Sequence, residues 1–183
     1  TSLNDAWSGA GDFRAQLLDA GKGSATYATA QQALNAVSDG MFYIDSETKD
    51  VKLAVPVGLS GCDTVTCPAA LESLYAKLSK QQIRGNIEGL KLLYSGGSGL
   101  GFDDWLDAVG AQALNQTIAK DIDKALAAVD AIEEASLAEA LIVDRKSVEA
   151  VYFAVKDITD NLKSQFISVL DLELPKSVEG DND

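Results

Sequence analysis

Apolar positions recur along this chain with the three-four spacing of packed helices. From Tyr27 they run through Ala30, Leu34, Val37, Met41 and Ile44 to Thr48 and Val51, which predicts a helix seam over residues 27–51. Gly40 lies inside that seam and weakens it by about 1 kcal/mol relative to alanine. A second helical segment over 69–94 carries Leu71, Leu74, Tyr75 and Leu78, then Ile83, Ile87, Leu90 and Tyr94. Its two apolar stripes are rotated against each other at Lys80-Gln81-Gln82. A third segment, 104–134, has Leu106, Val109, Ala113, Ile118, Ile122, Ala125, Val129 and Ile132. The fourth, 146–170, has Val148, Val151, Val155, Ile158, Leu162, Phe166 and Val169. An amphipathic piece over 3–18, with Trp7, Phe13, Leu17 and Leu18, precedes them all. Gly21-Lys22-Gly23-Ser24 then reads as a helix stop followed by a cap. Only Val51-Lys52-Leu53-Ala54-Val55 alternates with period two, and it runs straight into Pro56. The pattern predicts an all-α fold, a four-helix bundle with an additional N-terminal helix. On this reading 1–23 is a connecting or entry helix and 24–183 is the helical-bundle domain.

Composition narrows the chemistry. The chain has 183 residues, 46% apolar and 23% charged, which suits one globular domain that needs no staples. Fifteen basic residues against 28 acidic ones leave a net charge of −13. That balance argues against nucleic acid and anionic lipid, which both require clustered Lys and Arg. The chain has no histidine, which removes Ser-His-Asp and Cys-His catalysis and imidazole ligation of zinc from this chain. No apolar run approaches a membrane span, and Thr1-Ser2-Leu3-Asn4-Asp5 has no signal-peptide character. The expectation is a chain whose leader was removed, or a fragment.

Cys62 and Cys67 are the two cysteines, separated by Asp63-Thr64-Val65-Thr66. A short loop can bring them within disulfide range, and the bridge would contribute about 2 kcal/mol. A bridge implies an oxidising compartment; two reduced thiols in a cytosolic protein is the alternative.

Three features invite a chemical reading. Ser95-Gly96-Gly97-Ser98-Gly99-Leu100-Gly101 lacks the Lys-Ser/Thr ending of a phosphate loop and opens onto two aspartates. It reads better as a helix C-cap and linker, with Asp103 capping the next helix. The carboxylate pairs Asp103/Asp107, Asp130/Glu134 and Asp157/Asp160 share helix faces, but such pairs are usually solvated surface. Glu72, Ser79 and Asn86 are spaced by seven and stack along one face of the second segment. They form either a satisfied polar ladder or one wall of a groove. The link over 53–68, with Pro56, Pro68 and the two cysteines, is long enough to close over a cleft or cross the bundle end.

Taken in order, several stretches resemble the imelysin-like family of bacterial envelope proteins. They are Trp7 with Phe13, Val51-Lys52-Leu53-Ala54-Val55-Pro56-Val57-Gly58, Glu72-Ser73-Leu74-Tyr75 with Ser79, and Asn86-Ile87-Glu88-Gly89-Leu90. Tyr94-Ser95-Gly96, Gly101-Phe102-Asp103-Asp104-Trp105-Leu106 and Ala154-Val155-Lys156-Asp157-Ile158-Thr159-Asp160-Asn161-Leu162-Lys163 follow. Val169-Leu170-Asp171-Leu172-Glu173-Leu174-Pro175 and the closing Gly180-Asp181-Asn182-Asp183 complete the series.

The resemblance covers essentially the whole chain and implies the C-terminal half of a two-bundle protein. It implies a periplasmic location, with an outer-membrane anchor through a lost N-terminal segment, and an association with iron uptake. The family was once classed as metallopeptidases, but its Gly-x-His-x-x-Glu motif is absent here, so neither peptidase activity nor metal ligation carries over. What carries over is a cleft lined by Lys52, Glu72, Ser73, Ser79 and Asn86 and shared with an N-terminal half of the same protein. No cofactor is expected in this chain, and iron or another divalent metal belongs to the intact protein. Three functions compete: a non-catalytic binding bundle in iron acquisition, part of a metallopeptidase, and a scaffold bundle that docks another envelope protein; the partners expected are the N-terminal half of the same protein and iron or an iron-uptake component.

Overall fold

A computed structural model describes residues 3–8 and 12–179 of the chain. No strand occurs among the described residues, and the fold is all-α. The chain divides into two compact units, Thr1–Gly40 and Met41–Asp183.

The first unit holds α1 (Leu3–Ser8), α2 (Phe13–Leu18) and α3 (Ala30–Asp39). The amphipathic stretch over 3–18 is thus two short helices rather than one, joined by Trp7 packing edge-to-face on Phe13 at 5.0 Å. Ser24 does not cap a helix; its hydroxyl accepts from the Thr26 and Tyr27 N–H groups and shapes the turn. The cap of α3 is Thr29, whose side chain accepts from the Gln32 N–H.

The second unit is the bundle. Its first rod is a π-helix over Ile44–Ala54 that runs into α4 (Val55–Val57). Then come α5 (Ser79–Ser95), α6 (Phe102–Ala108), α7 (Gln112–Asp130) and α8 (Leu137–Val143). The last rod is α9 (Arg145–Asn161), a second π-helix over Leu162–Phe166, and α10 (Ile167–Val169). The first π-helix packs on α5, α5 on α7, α7 on α9, and α9 back on the first π-helix, closing a four-rod ring. Leu53, Val57, Ile87, Ile118, Val155, Ile158 and Phe166 are completely buried at its centre. Each such side chain contributes about 1.5–3 kcal/mol through burial, so tertiary packing rather than helix propensity holds the rods.

The seam over 27–51 departs from the alternating register, and the reason is geometric. Met41, Ile44 and Thr48 are buried as the spacing predicts, but Val51 is 51% exposed. The inward positions continue instead at Leu53 and Val57. A π-helix closes its hydrogen bonds i→i+5, so its turn is wider and the buried face advances by four or five residues. The rod therefore extends to Val57 and stops at Gly58, whose φ of 85° is left-handed. A Cβ there would lie 2.3 Å from the Val65 carbonyl oxygen, so only glycine lets the returning loop approach.

Other boundaries move as well. The helix over 69–94 begins only at Ser79. Residues 68–70 are a 3-10 turn and 71–78 are turns, which places Tyr75 98% exposed rather than in an apolar stripe. The rotation at Lys80-Gln81-Gln82 marks where the true helix starts. The segment over 104–134 is broken at Gly110, with φ of 85°, into α6 and α7, and Val109 turns outward. The short α8, capped by Ser136, carries too little periodic sequence to be read as a helix in advance.

Gly96 ends α5 in a left-handed conformation, as a C-cap should. The next helix is secured by Asp104 rather than Asp103: its carboxylate accepts from the Gly101 N–H at 3.0 Å.

Candidate functional site

The first π-helix concentrates the polar chemistry of the bundle. Tyr43 stands just before it and Lys52 near its end, nine residues apart. On an α-helix nine residues make two and a half turns, on the order of 900° at 3.6 per turn, which would put these side chains on opposite faces. The wider π turn brings them onto one face. The Lys52 ammonium donates to the Tyr43 hydroxyl at 2.7 Å and lies 5.0 Å from the centre of the tyrosine ring. Glu72 reaches the same ammonium from the turn segment 71–78, with Oε2 at 3.0 Å. The Lys52 side chain is 10% exposed and that of Glu72 46%. Burial on its own would lower the Lys52 pKa, but hydrogen bonds to Tyr43 and Glu72, with their charges, outweigh it and hold the group above the ordinary lysine value.

One turn earlier on the same helix, the fully buried Thr48 hydroxyl accepts from the Asn86 side-chain amide of α5 at 3.1 Å. Ser79, the first residue of α5, is buried and its hydroxyl accepts from the Ser73 backbone N–H at 3.3 Å. Of the five residues singled out from the sequence, Lys52 and Glu72 thus meet directly. Asn86 joins the Lys52 helix through Thr48, and the Ser73 N–H donates to the Ser79 hydroxyl at the mouth of α5. The seven-residue stack itself does not exist, because Glu72 precedes the helix instead of riding on it. Glu72 reaches Lys52 by way of the turn.

A second polar cluster escaped the sequence reading. Asp45 and Lys49, both completely buried, face each other on the first π-helix with Nζ 3.0 Å from Oδ1. The other Asp45 oxygen lies 3.4 Å from Lys163 on the second π-helix, and Lys49 also lies 3.2 Å from Asp50. Two irregular helices are thereby tied by buried charge. Among the described residues neither Asp45 oxygen has a hydrogen-bond donor in good geometry, and the two ammonium groups hold it by ion pairing. The only forewarning was the four-residue spacing of Asp45 and Lys49, which on an ordinary helix signifies a surface pair.

The link after the first rod is pinned. Cys62 and Cys67 form a disulfide with Cα atoms 6.0 Å apart. The Cys67 N–H donates to the Pro56 carbonyl at 2.9 Å, and Arg145 donates to the Val57 carbonyl at 2.8 Å. The segment bearing Glu72 leaves this stapled loop.

The acidic pairs along the outer faces are occupied by cations or amides. Asp130 pairs with Arg84, Asp157 with Lys124 and Asp160 with Lys156, while Asp107 accepts from Asn115. Among the described residues no three of His, Cys, Asp and Glu gather where a metal ion could be held. No helix among them is long and apolar enough to cross a membrane.

No curated protein and no solved structure matches the chain. The model of one family, Imelysin (Peptidase_M75), matches residues 1–167, nearly the whole length, and the chain belongs to that family.

Proposed function

We propose that this chain is a non-catalytic binding bundle, serving iron acquisition as part of a larger periplasmic protein of the Imelysin family. The observation that carries the reading is the convergence of Lys52, Tyr43 and Glu72, backed by Thr48 and Asn86, at the junction of the first π-helix with α5. A positioned cation, a phenol and an amide can hold and orient a polar ligand. They contain no nucleophile–base pair of the kind that acyl transfer uses. The Cys62–Cys67 bond supports an oxidising compartment such as the periplasm.

Iron is cargo in this reading, and the described residues do not fit a bare ferric ion. Hard cations take several oxygen ligands at once, whereas the helix-face aspartates here are engaged singly by Arg, Lys or Asn. The partner proposed for the site is the N-terminal half of the same protein, which would supply the metal ligands.

The test is titration of the intact protein with iron, comparing wild type with Lys52→Met and Asn86→Ala. A weaker iron affinity in the variants supports the reading; unchanged affinity in both removes these residues from the site. The rival enzyme reading predicts chelator-sensitive peptide cleavage by the intact protein, and cleavage lost in Lys52→Met would favour it. The scaffold reading draws on the exposure of Leu3, Trp7, Phe13 and Leu18 in the first unit; iron-independent capture of an iron-uptake component would favour it.

A further inference from the structure

Lys52 and Tyr43 are both fixed by one helix, while their third partner is not. The Tyr43 oxygen accepts from Lys52, which leaves its own O–H to donate elsewhere. An ammonium and a phenol O–H side by side present two donors on one face, the complement of the two oxygens of a carboxylate. The structure already holds a carboxylate there, that of Glu72. Glu72 belongs to no helix and is half exposed, and its segment includes Lys77, held at a left-handed φ of 57° that disfavours a side chain. Ion pairs this exposed contribute little. An incoming carboxylate would replace like with like at Lys52 without stranding the lysine.

We infer that Lys52 and Tyr43 form the anchor for a carboxylate ligand and that Glu72 is its internal stand-in, displaced when the ligand binds. This rests on the binding reading of the site and names the ligand chemistry it takes. A monovalent carboxylate is favoured over a phosphate dianion for two reasons. The chain carries a net charge of −13, which penalises each added negative charge. A single ammonium also offers one positive charge, matched by one carboxylate.

The experiment is calorimetric titration of the protein with acetate and benzoate, each a monovalent carboxylate, with inorganic phosphate as a separate arm and no iron present. Glu72→Gln removes the stand-in's charge at an exposed position and should tighten carboxylate binding by about tenfold, since the charge-assisted contact to Lys52 no longer has a competitor. Lys52→Met should weaken binding by at least about tenfold, by loss of that contact. Lys52→Arg should retain part of it, which separates lost charge from lost folding. Unchanged or weaker carboxylate binding in Glu72→Gln overturns the assignment, as does the absence of binding in both wild type and Glu72→Gln. Phosphate binding more tightly than either carboxylate overturns the ligand class. Because no iron enters this titration, its failure is separate from failure of the iron-acquisition reading, which the metal titration reports.

Discussion

The first π-helix carries two lysines three residues apart whose ion pairs live under opposite conditions. Lys49 and its partner Asp45 are completely buried, with Lys163 reaching in from the second π-helix. Lys52 sits at the edge, and its partner Glu72 is half in solvent on a turn. Both are lysine–carboxylate pairs whose lysines lie on one helix, the inner one shared with Asp50 and Lys163 and the outer one with Tyr43, and they differ most in burial. A buried pair has lost its hydration and depends on each partner to offset that loss. An edge pair can be opened and water or a ligand substituted, at little cost. The inner cluster is therefore suited to holding structure, and the outer pair is the one on which the proposed site draws.

The largest effect should come from breaking the inner pair on one side. Lys49→Met strands Asp45 with Lys163 alone and should destabilise the fold by about 3–5 kcal/mol, measured by urea unfolding. The double variant Asp45→Leu with Lys49→Met should lose clearly less, because no uncompensated carboxylate remains inside. If the single and double variants were equally damaged, packing of the π-helix rather than charge would govern the cluster, and the contrast with Lys52 would fail.

Removing the staple beside the outer pair should rank second. Cys62→Ser with Cys67→Ser should cost about 2 kcal/mol through loop entropy, and hydrogen exchange should rise over 58–78 while α7 and α9 stay protected. Protection unchanged over 58–78 would mean that the Pro56 and Arg145 contacts hold the loop unaided.

The smallest effect belongs to the outer pair itself. Glu72→Gln should change stability by less than about 1 kcal/mol, because half of the ion pair lies in solvent. The pH dependence has a definite sign. Lys52 is raised in the folded state, so its contribution is complete below the ordinary lysine pKa and disappears as pH rises through the raised one. Wild type should therefore converge on Lys52→Met in strongly alkaline solution, and a difference that persisted there would trace to packing of the lysine stem.

Much of the bundle was legible in the sequence because three-four spacing reports which face of a regular helix is buried. The stripes over 104–134 and 146–170 place Leu106, Ile118, Ile122, Val129, Val151, Val155 and Ile158 in the core, where they lie. The candidate site was legible in part: Glu72 stood out through its spacing with Ser79 and Asn86, Lys52 came only from the family resemblance, and the two meet. The route was misread, since a seven-residue spacing implies a shared face only if all three residues are helical, and Glu72 is not. Tyr43 was missed for the complementary reason. Nine residues separate partners on an α-helix and unite them on a π-helix, and no residue pattern in Ile44–Ala54 signals the wider turn.

The amino-acid sequence by itself determined the all-α class, the number of long rods, the cysteine pair able to close a six-residue loop, and the absence of histidine chemistry in this chain. Each depends on composition or local periodicity alone. Tertiary structure decided which charges go inside and which lysine stays at the edge. Widening the turn at Ile44–Ala54 moves the inward face from Val51 to Leu53, carries Asp45 and Lys49 into the interior, and turns Lys52 toward Tyr43 and Glu72. That register is set by packing against α5 and α9 and by the Lys163 contact more than a hundred residues away, forces that act only after the rods have assembled.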